Sequence, residues 1–299
     1  MRLYHNVDAD GILEAIYDEP GRRIDPALIG KLASAVEKRG KGLAKRLRRR
    51  LGAALRLRER LREEAVKVGR LVKECWTEWR ELVRGDERKF APMGCGERGA
   101  CPVCSVYYAW GLAMDSYVFW LNLLKAVRQR YMCLLVLTLP KGLSARLDEE
   151  VRRGDKERLN RLSRKAWGIV EKVFGKGIGG VGAWHWWGEE NLKADTGSSH
   201  WHFNLLFGCW RWEGDKAVEL KAFREKEVLE RMRAEWRKVL EKEFGVELEE
   251  VDVKYSYGRV EGEVGGRWLW HQCEYLTRSV WADVIKHGIA VGVDFLDRA

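Results

Sequence analysis

No signal-peptide pattern opens the sequence, no glycine-rich phosphate loop of the Walker type occurs in it, and no segment repeats. The first absence points to the cytoplasm, a reducing compartment, and the second argues against an ATPase. A membrane span is lacking as well. The most apolar run, Val106 to Leu124, approaches spanning length, but Asp115 interrupts it and Asn122 lies near its end, so it reads as a buried core helix and no membrane partner is expected. Asn and Gln are scarce against abundant Lys, Arg and Glu, a bias seen in proteins from hot environments. The seven cysteines are odd in number and partly clustered, which argues against a disulfide framework and for a metal site.

What is present is positive charge in one place. The chain carries a net charge of +10, and residues 38 to 62 hold twelve Lys and Arg against the single Glu59. That segment belongs to an expected long helix from about Leu43 to Val83, whose apolar residues recur at helical spacing while the arginines lie off the stripe. A helix packed on one face can offer Arg46, Arg48, Arg49 and Arg50 to a phosphate backbone, with affinity that falls with salt.

The cysteines Cys95, Cys101 and Cys104 follow. Thiolates two residues apart in a tight turn can face one Zn2+, and a closed structural site needs four ligands. Cys75 is the preferred fourth, with His5 as the alternative.

Further on, a helix is expected over Val106 to Arg130, a central strand over Tyr131 to Pro140, a helix over Ser144 to Phe174, and a strand over Val181 to Trp187. A polar loop, 188 to 199, leads to the strand Ser199 to Phe207. After it come an amphipathic helix over Lys221 to Phe244, a strand over Val251 to Tyr257 and a helix over Arg267 to Lys286. This order defines an α+β fold, a largely antiparallel central sheet flanked by helices, preceded by a helical zinc-binding region. Two domains are expected, 1–105 and 106–299.

Chemistry centres on His200-Trp201-His202. Side chains two apart on a strand leave the same face, so both imidazoles can hold one divalent ion. If the neighbouring strand is adjacent, His185 supplies a third ligand, with Glu189 or Glu190 as substitutes. Three protein ligands leave positions open for water or a substrate phosphate. On the last helix, His271, Tyr275 and Arg278 stand at i, i+4 and i+7 on the side opposite the apolar stripe. Tyr255 and Tyr257 are rivals for a nucleophile, but they share the expected buried face of their strand.

In their order, the knuckle at 95 to 104, the strand Leu135 to Pro140, the His200-Trp201-His202 pair and Glu274-Tyr275-Leu-Thr-Arg278 resemble the HUH endonuclease superfamily, and within it the rolling-circle plasmid replication initiators and related transposases. The resemblance implies Mn2+ or Mg2+ on the histidine pair plus a third side chain, and Tyr275 as the nucleophile toward single-stranded DNA at a replication origin. It also implies a phosphotyrosine intermediate and a host helicase and polymerase as further partners. The pattern departs from relatives in two ways. Arg278 stands where many have Lys, with no second tyrosine following, which implies a one-tyrosine enzyme; and His185 stands where Glu is common. A transposase of the same chemistry and a non-catalytic zinc-containing DNA-binding protein are the alternatives.

Overall fold

A computed structural model describes residues 101–187, 199–225 and 227–287 without interruption, strands at 79–84 and 87–92, and helical residues within 49–61. The chain divides into two compact units, 1–112 with 278–299, and 113–277. The last residues, 278–299, thus group with the first unit.

In the first unit the expected helix does not reach Val83. Trp79–Arg84 (β1) is a strand paired antiparallel with Glu87–Pro92 (β2), in the register Arg84↔Glu87. Only Gly85-Asp86 separates the strands in sequence, the kind of dipeptide that two-residue hairpins use. Over 49–61, Ala54, Arg58 and Leu61 are all buried, so Arg58 lies on the apolar stripe and not off it. A long arginine stem can be buried as apolar surface. Helix α1, Pro102–Ala126, carries the chain into the second unit.

The second unit is built on a four-stranded sheet in the order β4-β5-β3-β8, with every neighbouring pair antiparallel. Its strands are β3 (Tyr131–Thr138), β4 (Gly180–His185), β5 (His202–Gly208) and β8 (Val253–Arg259). Both central strands, β3 and β5, are largely buried on both faces, as the continuous apolar run from Tyr131 requires for β3. Between β3 and β4 the expected single helix is two, α2 (Lys141–Arg152) and α3 (Glu157–Phe174). The break falls at Gly154, whose φ of 86° is open to glycine at no steric cost. A hairpin that the sequence pattern did not announce, β6 (Trp210–Glu213) with β7 (Lys216–Glu219), follows β5. Then come a 3-10 turn at Lys221–Arg224 and α4 (Glu227–Phe244).

Alternation along the strands sorts the side chains onto two faces. One face takes Leu135, Leu137, Phe203, Leu205, Phe207 and Tyr255 and is covered by α2, α3 and α4. Helix α4 buries Val228, Met232, Trp236, Leu240 and Phe244, one row at four-residue intervals. The indole of Trp236, fully buried, donates to the Thr138 carbonyl at 3.0 Å and so fixes α4 to the end of β3. The other face takes Met132, Val181 and Leu206 and is covered by the second half of α1 and by α5 (Gly262–Thr277), through Trp120, Leu124, Leu269, Cys273 and Leu276. Burial pushes the Cys273 thiol pKa up to about 12. Helix α5 sits close because Gly258 on β8 has no side chain: a Cβ there would lie 2.5 Å from the Trp268 ring.

The expected helix over Arg267 to Lys286 is also two. Helix α5 ends at Thr277, and α6, Val280–His287, begins after Ser279, whose hydroxyl accepts from the Ala282 N–H at 3.2 Å as an N-cap does.

Candidate functional site

The histidines assemble because of register. His185, the last residue of β4, stands directly opposite His202, the first of β5, and His202 stands opposite Thr138, the last of β3. Residues opposed across a ladder point to the same face, so one polar row crosses the sheet's end. Asp252 extends the row: the Thr138 N–H donates to its carbonyl at 3.0 Å and the Thr138 hydroxyl to its carboxylate at 3.3 Å. The expected adjacency of the two histidine strands is therefore present.

His200 precedes β5, but its N–H donates to the Trp186 carbonyl at 2.7 Å and continues the pairing. The ring centres of His200 and His202 are 5.5 Å apart, and those of His185 and His202 are 5.2 Å apart. Trp201 between them points to the opposite face and packs in the larger core, with its N–H bonded to the buried Ser144 hydroxyl at 3.2 Å. Ser144 is itself anchored to the Leu139 carbonyl at 3.2 Å, so the turn after β3 steadies the entry to the histidine strand.

Two of the three rings are oriented by the backbone or by an amide. His202 Nδ1 lies 3.0 Å from the His200 carbonyl and donates to it, which puts the lone pair on Nε2. Metal-binding histidines commonly donate their other ring N–H to a carbonyl in this way. His185 is buried and meets Asn204 and α5. The Asn204 amide N–H donates to His185 Nδ1 at 3.1 Å, and His185 Nε2–H donates to the Leu276 carbonyl at 3.1 Å. A neutral ring satisfies both bonds only as the Nε2–H tautomer, and no lone pair then remains for a metal. In this arrangement His185 is a strut between sheet and helix, stacked on Trp187 with ring centres 4.9 Å apart. A ligand role would require those bonds to open.

Asn204 itself escaped sequence reasoning. It follows His200 and His202 at the next alternate position, so the same period of two that selected the histidines selects it. It is fully buried, and its Oδ1 accepts no hydrogen bond among the described residues. The imidazoles of His200 and His202 and the amide oxygen of Asn204 lie on β5 or its extension and are residue types that could hold a divalent cation. Two imidazoles suit Mn2+ or a later metal better than Mg2+. Among the described residues, no group of three or more His, Cys, Asp or Glu side chains could hold a metal ion. Glu189 lies outside the described residues.

Helix α5 brings Tyr275 to this row. Leu269, Cys273 and Leu276 bury its stripe, and the half-buried Tyr275 presents its ring edge-on to His185 at 5.7 Å and 65°. His271 is exposed one turn earlier. Arg278 lies one residue beyond the end of α5, in the other unit, and pairs there with Asp283 at 3.3 Å. The rival tyrosines are on the opposite face of the sheet. Tyr255 donates to the Phe223 carbonyl at 3.0 Å, and burial pushes its phenol well above the ordinary tyrosine pKa. Tyr257 is 45% exposed and not buried as its strand position implied.

Of the other expected positions, Cys101 and Cys104 are both buried at the start of α1, and Cys75 and Cys95 lie outside the described residues. Arg49 is exposed, Arg50 holds its guanidinium 5.8 Å from the Trp110 ring centre, and Arg46 and Arg48 lie outside the described residues. No helix among the described residues is long and apolar enough to cross a membrane.

Comparison of the chain with protein-family models, with curated proteins and with solved structures found no match in any of the three.

Proposed function

We propose that this chain is a metal-dependent endonuclease and strand transferase that nicks and rejoins single-stranded DNA at a replication origin, using Tyr275 as nucleophile. The carrying observation is the placement of the tyrosines. Tyr275 stands 5.7 Å from His185 on the histidine face, while Tyr255 and Tyr257 occupy the opposite face.

In this reading His200 and His202 hold Mn2+ or Mg2+, with Glu189 as a further ligand, and His185 with Asn204 keeps the histidine row and α5 in register. A divalent ion held there would neutralise charge on the scissile phosphate. The Tyr275 oxygen attacks phosphorus, its proton passing to solvent. The new bond joins phosphorus to the phenolic oxygen, the bond to the 3′ oxygen breaks, and that oxygen takes up a proton. The products are a 5′-phosphotyrosine and a free 3′-hydroxyl. The phosphotyrosine conserves the energy needed for rejoining, so no nucleotide cofactor is required.

The test is a covalent adduct. Wild type with Mn2+ and an origin-derived single strand should give a protein-DNA species that survives SDS, and Tyr275→Phe should bind the same strand and give none. An adduct that persists in Tyr275→Phe assigns the nucleophile elsewhere, and no adduct from wild type on any origin-derived strand rejects the enzyme class.

A structural Zn2+ on Cys101 and Cys104, with Cys75 and Cys95, belongs to the same proposal. Metal analysis should find about one zinc per chain in wild type and a loss in Cys101→Ser. Equal zinc in the two would remove the knuckle.

A further inference from the structure

At the other end of β3, seven residues from Thr138 and roughly 23 Å along the strand, lies a cleft unrelated to the histidines. Its volume is about 300 Å3, and its walls carry Arg128, Arg130, Arg224, Arg259, Tyr131 and Glu219. Two carboxylates partly balance four guanidiniums. Arg130 and Arg259 share Glu261, and Arg224 lies 3.7 Å from Glu219. Arg128 forms no ion pair among the described residues.

The backbone of Arg128 is the second observation. It has a φ of 53°, the one non-glycine residue with positive φ among those described. It closes α1: the Arg128 N–H donates to the Lys125 carbonyl at 3.2 Å and the Gln129 N–H to the Leu124 carbonyl at 3.0 Å, the paired bonds of a Schellman motif. Glycine takes that position without steric cost, and an L-residue there is disfavoured by about 1 kcal/mol or more. An arginine held against this preference, with its charge in a cleft already rich in guanidinium, suits an anionic ligand better than it suits the helix.

The third observation is aromatic. The Arg224 guanidinium lies 4.5 Å from the Tyr131 ring centre and 4.8 Å from that of Phe223. Phe223 in turn meets Tyr257 at 5.1 Å, and Tyr257 is 45% exposed. Exposed ring surface beside a basic groove is the combination with which proteins hold single strands, phosphates on the cations and bases stacked on the rings.

We propose that this cleft is a second binding site for single-stranded DNA, with Arg128 and Arg224 on the phosphates and Tyr257 under a base. The inference shares with the proposed function only the kind of partner, and it is tested by binding without cleavage, so either can fail alone.

The experiment is fluorescence anisotropy of the full chain with a labelled oligo-dT of about 20 nucleotides, long enough to outrun a single-strand site, in buffer without added Mn2+ or Mg2+ and without chelator, across a salt series. Arg128→Gly and Arg224→Gln should each reduce the slope of log K against log salt by about 0.7, one phosphate contact on a single strand. Tyr257→Ala should weaken binding about fivefold or more with the slope unchanged. Arg128→Gly also guards against misfolding, because glycine suits the helix end and its Tm should be no lower than wild type. Wild-type affinity and slope in all three variants would overturn the site. Equal losses on a blunt duplex would overturn its assignment to single strands, and loss in the arginine variants with none in Tyr257→Ala would overturn the stacking.

Discussion

The two faces of the four-stranded sheet are made from the same strands and put the same residue types to different uses. On the face under α2, α3 and α4, a tyrosine is a packing group: Tyr255 spends its hydroxyl on a backbone carbonyl and a buried thiol. On the face under α5, a tyrosine lies half-buried beside His185, whose ring is followed along the sheet's end by those of His202 and His200. The larger apolar cluster belongs to the first face, and the polar row His185, His202, Thr138 and Asp252 to the second. A residue's chemistry here follows from the parity of its position along a strand and from which helix covers that parity.

Three substitutions can break or sharpen this contrast. Trp236→Ala removes the largest anchor of the apolar face and the bond to Thr138, and should cost about 3–5 kcal/mol in urea unfolding. A loss under about 1 kcal/mol would mean that the face is not the main source of stability. Gly258→Ala acts on the other face, where the new Cβ must displace the Trp268 ring and with it α5; a cost of about 1–3 kcal/mol is expected. If Tyr275 is the nucleophile as proposed, adduct formation should fall more than stability does, and a variant as active as wild type would show that the seating of α5 is not critical. Tyr255→Phe should have the smallest effect, about 1 kcal/mol from the lost hydrogen bonds, with the adduct intact. Its signature is in alkali. The folded phenol's pKa is raised, so its contribution is fully present below the unfolded value of about 10 and is lost as pH climbs beyond it. Tyr255→Phe should flatten that loss, and an unchanged alkaline profile would assign it to other groups.

The sequence made the centre of the fold legible and its interruptions much less so. The apolar run from Tyr131 and the alternation around His202 fix two adjacent central strands, because burial on both faces leaves little choice of residue. The helix breaks were hidden by charge. Gly154 sits in Arg152-Arg-Gly-Asp155, a stretch that reads equally well as an exposed helix surface, and Ser279 caps α6 without a glycine or proline to announce the stop. Missing that stop carried the helical count on to Arg278, which lies past the end of α5 and pairs with Asp283. His185 and Tyr275 could be singled out as residue types with suitable spacing. That an amide from Asn204 and a carbonyl from Leu276 would engage both nitrogens of His185 depends on strand register and helix docking, which spacing does not carry. The arginine cleft is more distant still from local pattern, drawing its residues from four parts of the chain.

The bond from His185 to Leu276 also bears on motion. The last four carbonyls of any helix lack partners within it, and the terminal turn frays first unless something outside holds it. Tyr275 lies in the terminal turn of α5, and the Leu276 carbonyl is clamped by an imidazole from the sheet. The ring beside His185 thus rides on a turn that a side chain 91 residues away in sequence helps to hold against the sheet. Amide exchange at the end of α5 should quicken in His185→Ala while exchange in the middle of the helix stays as it was.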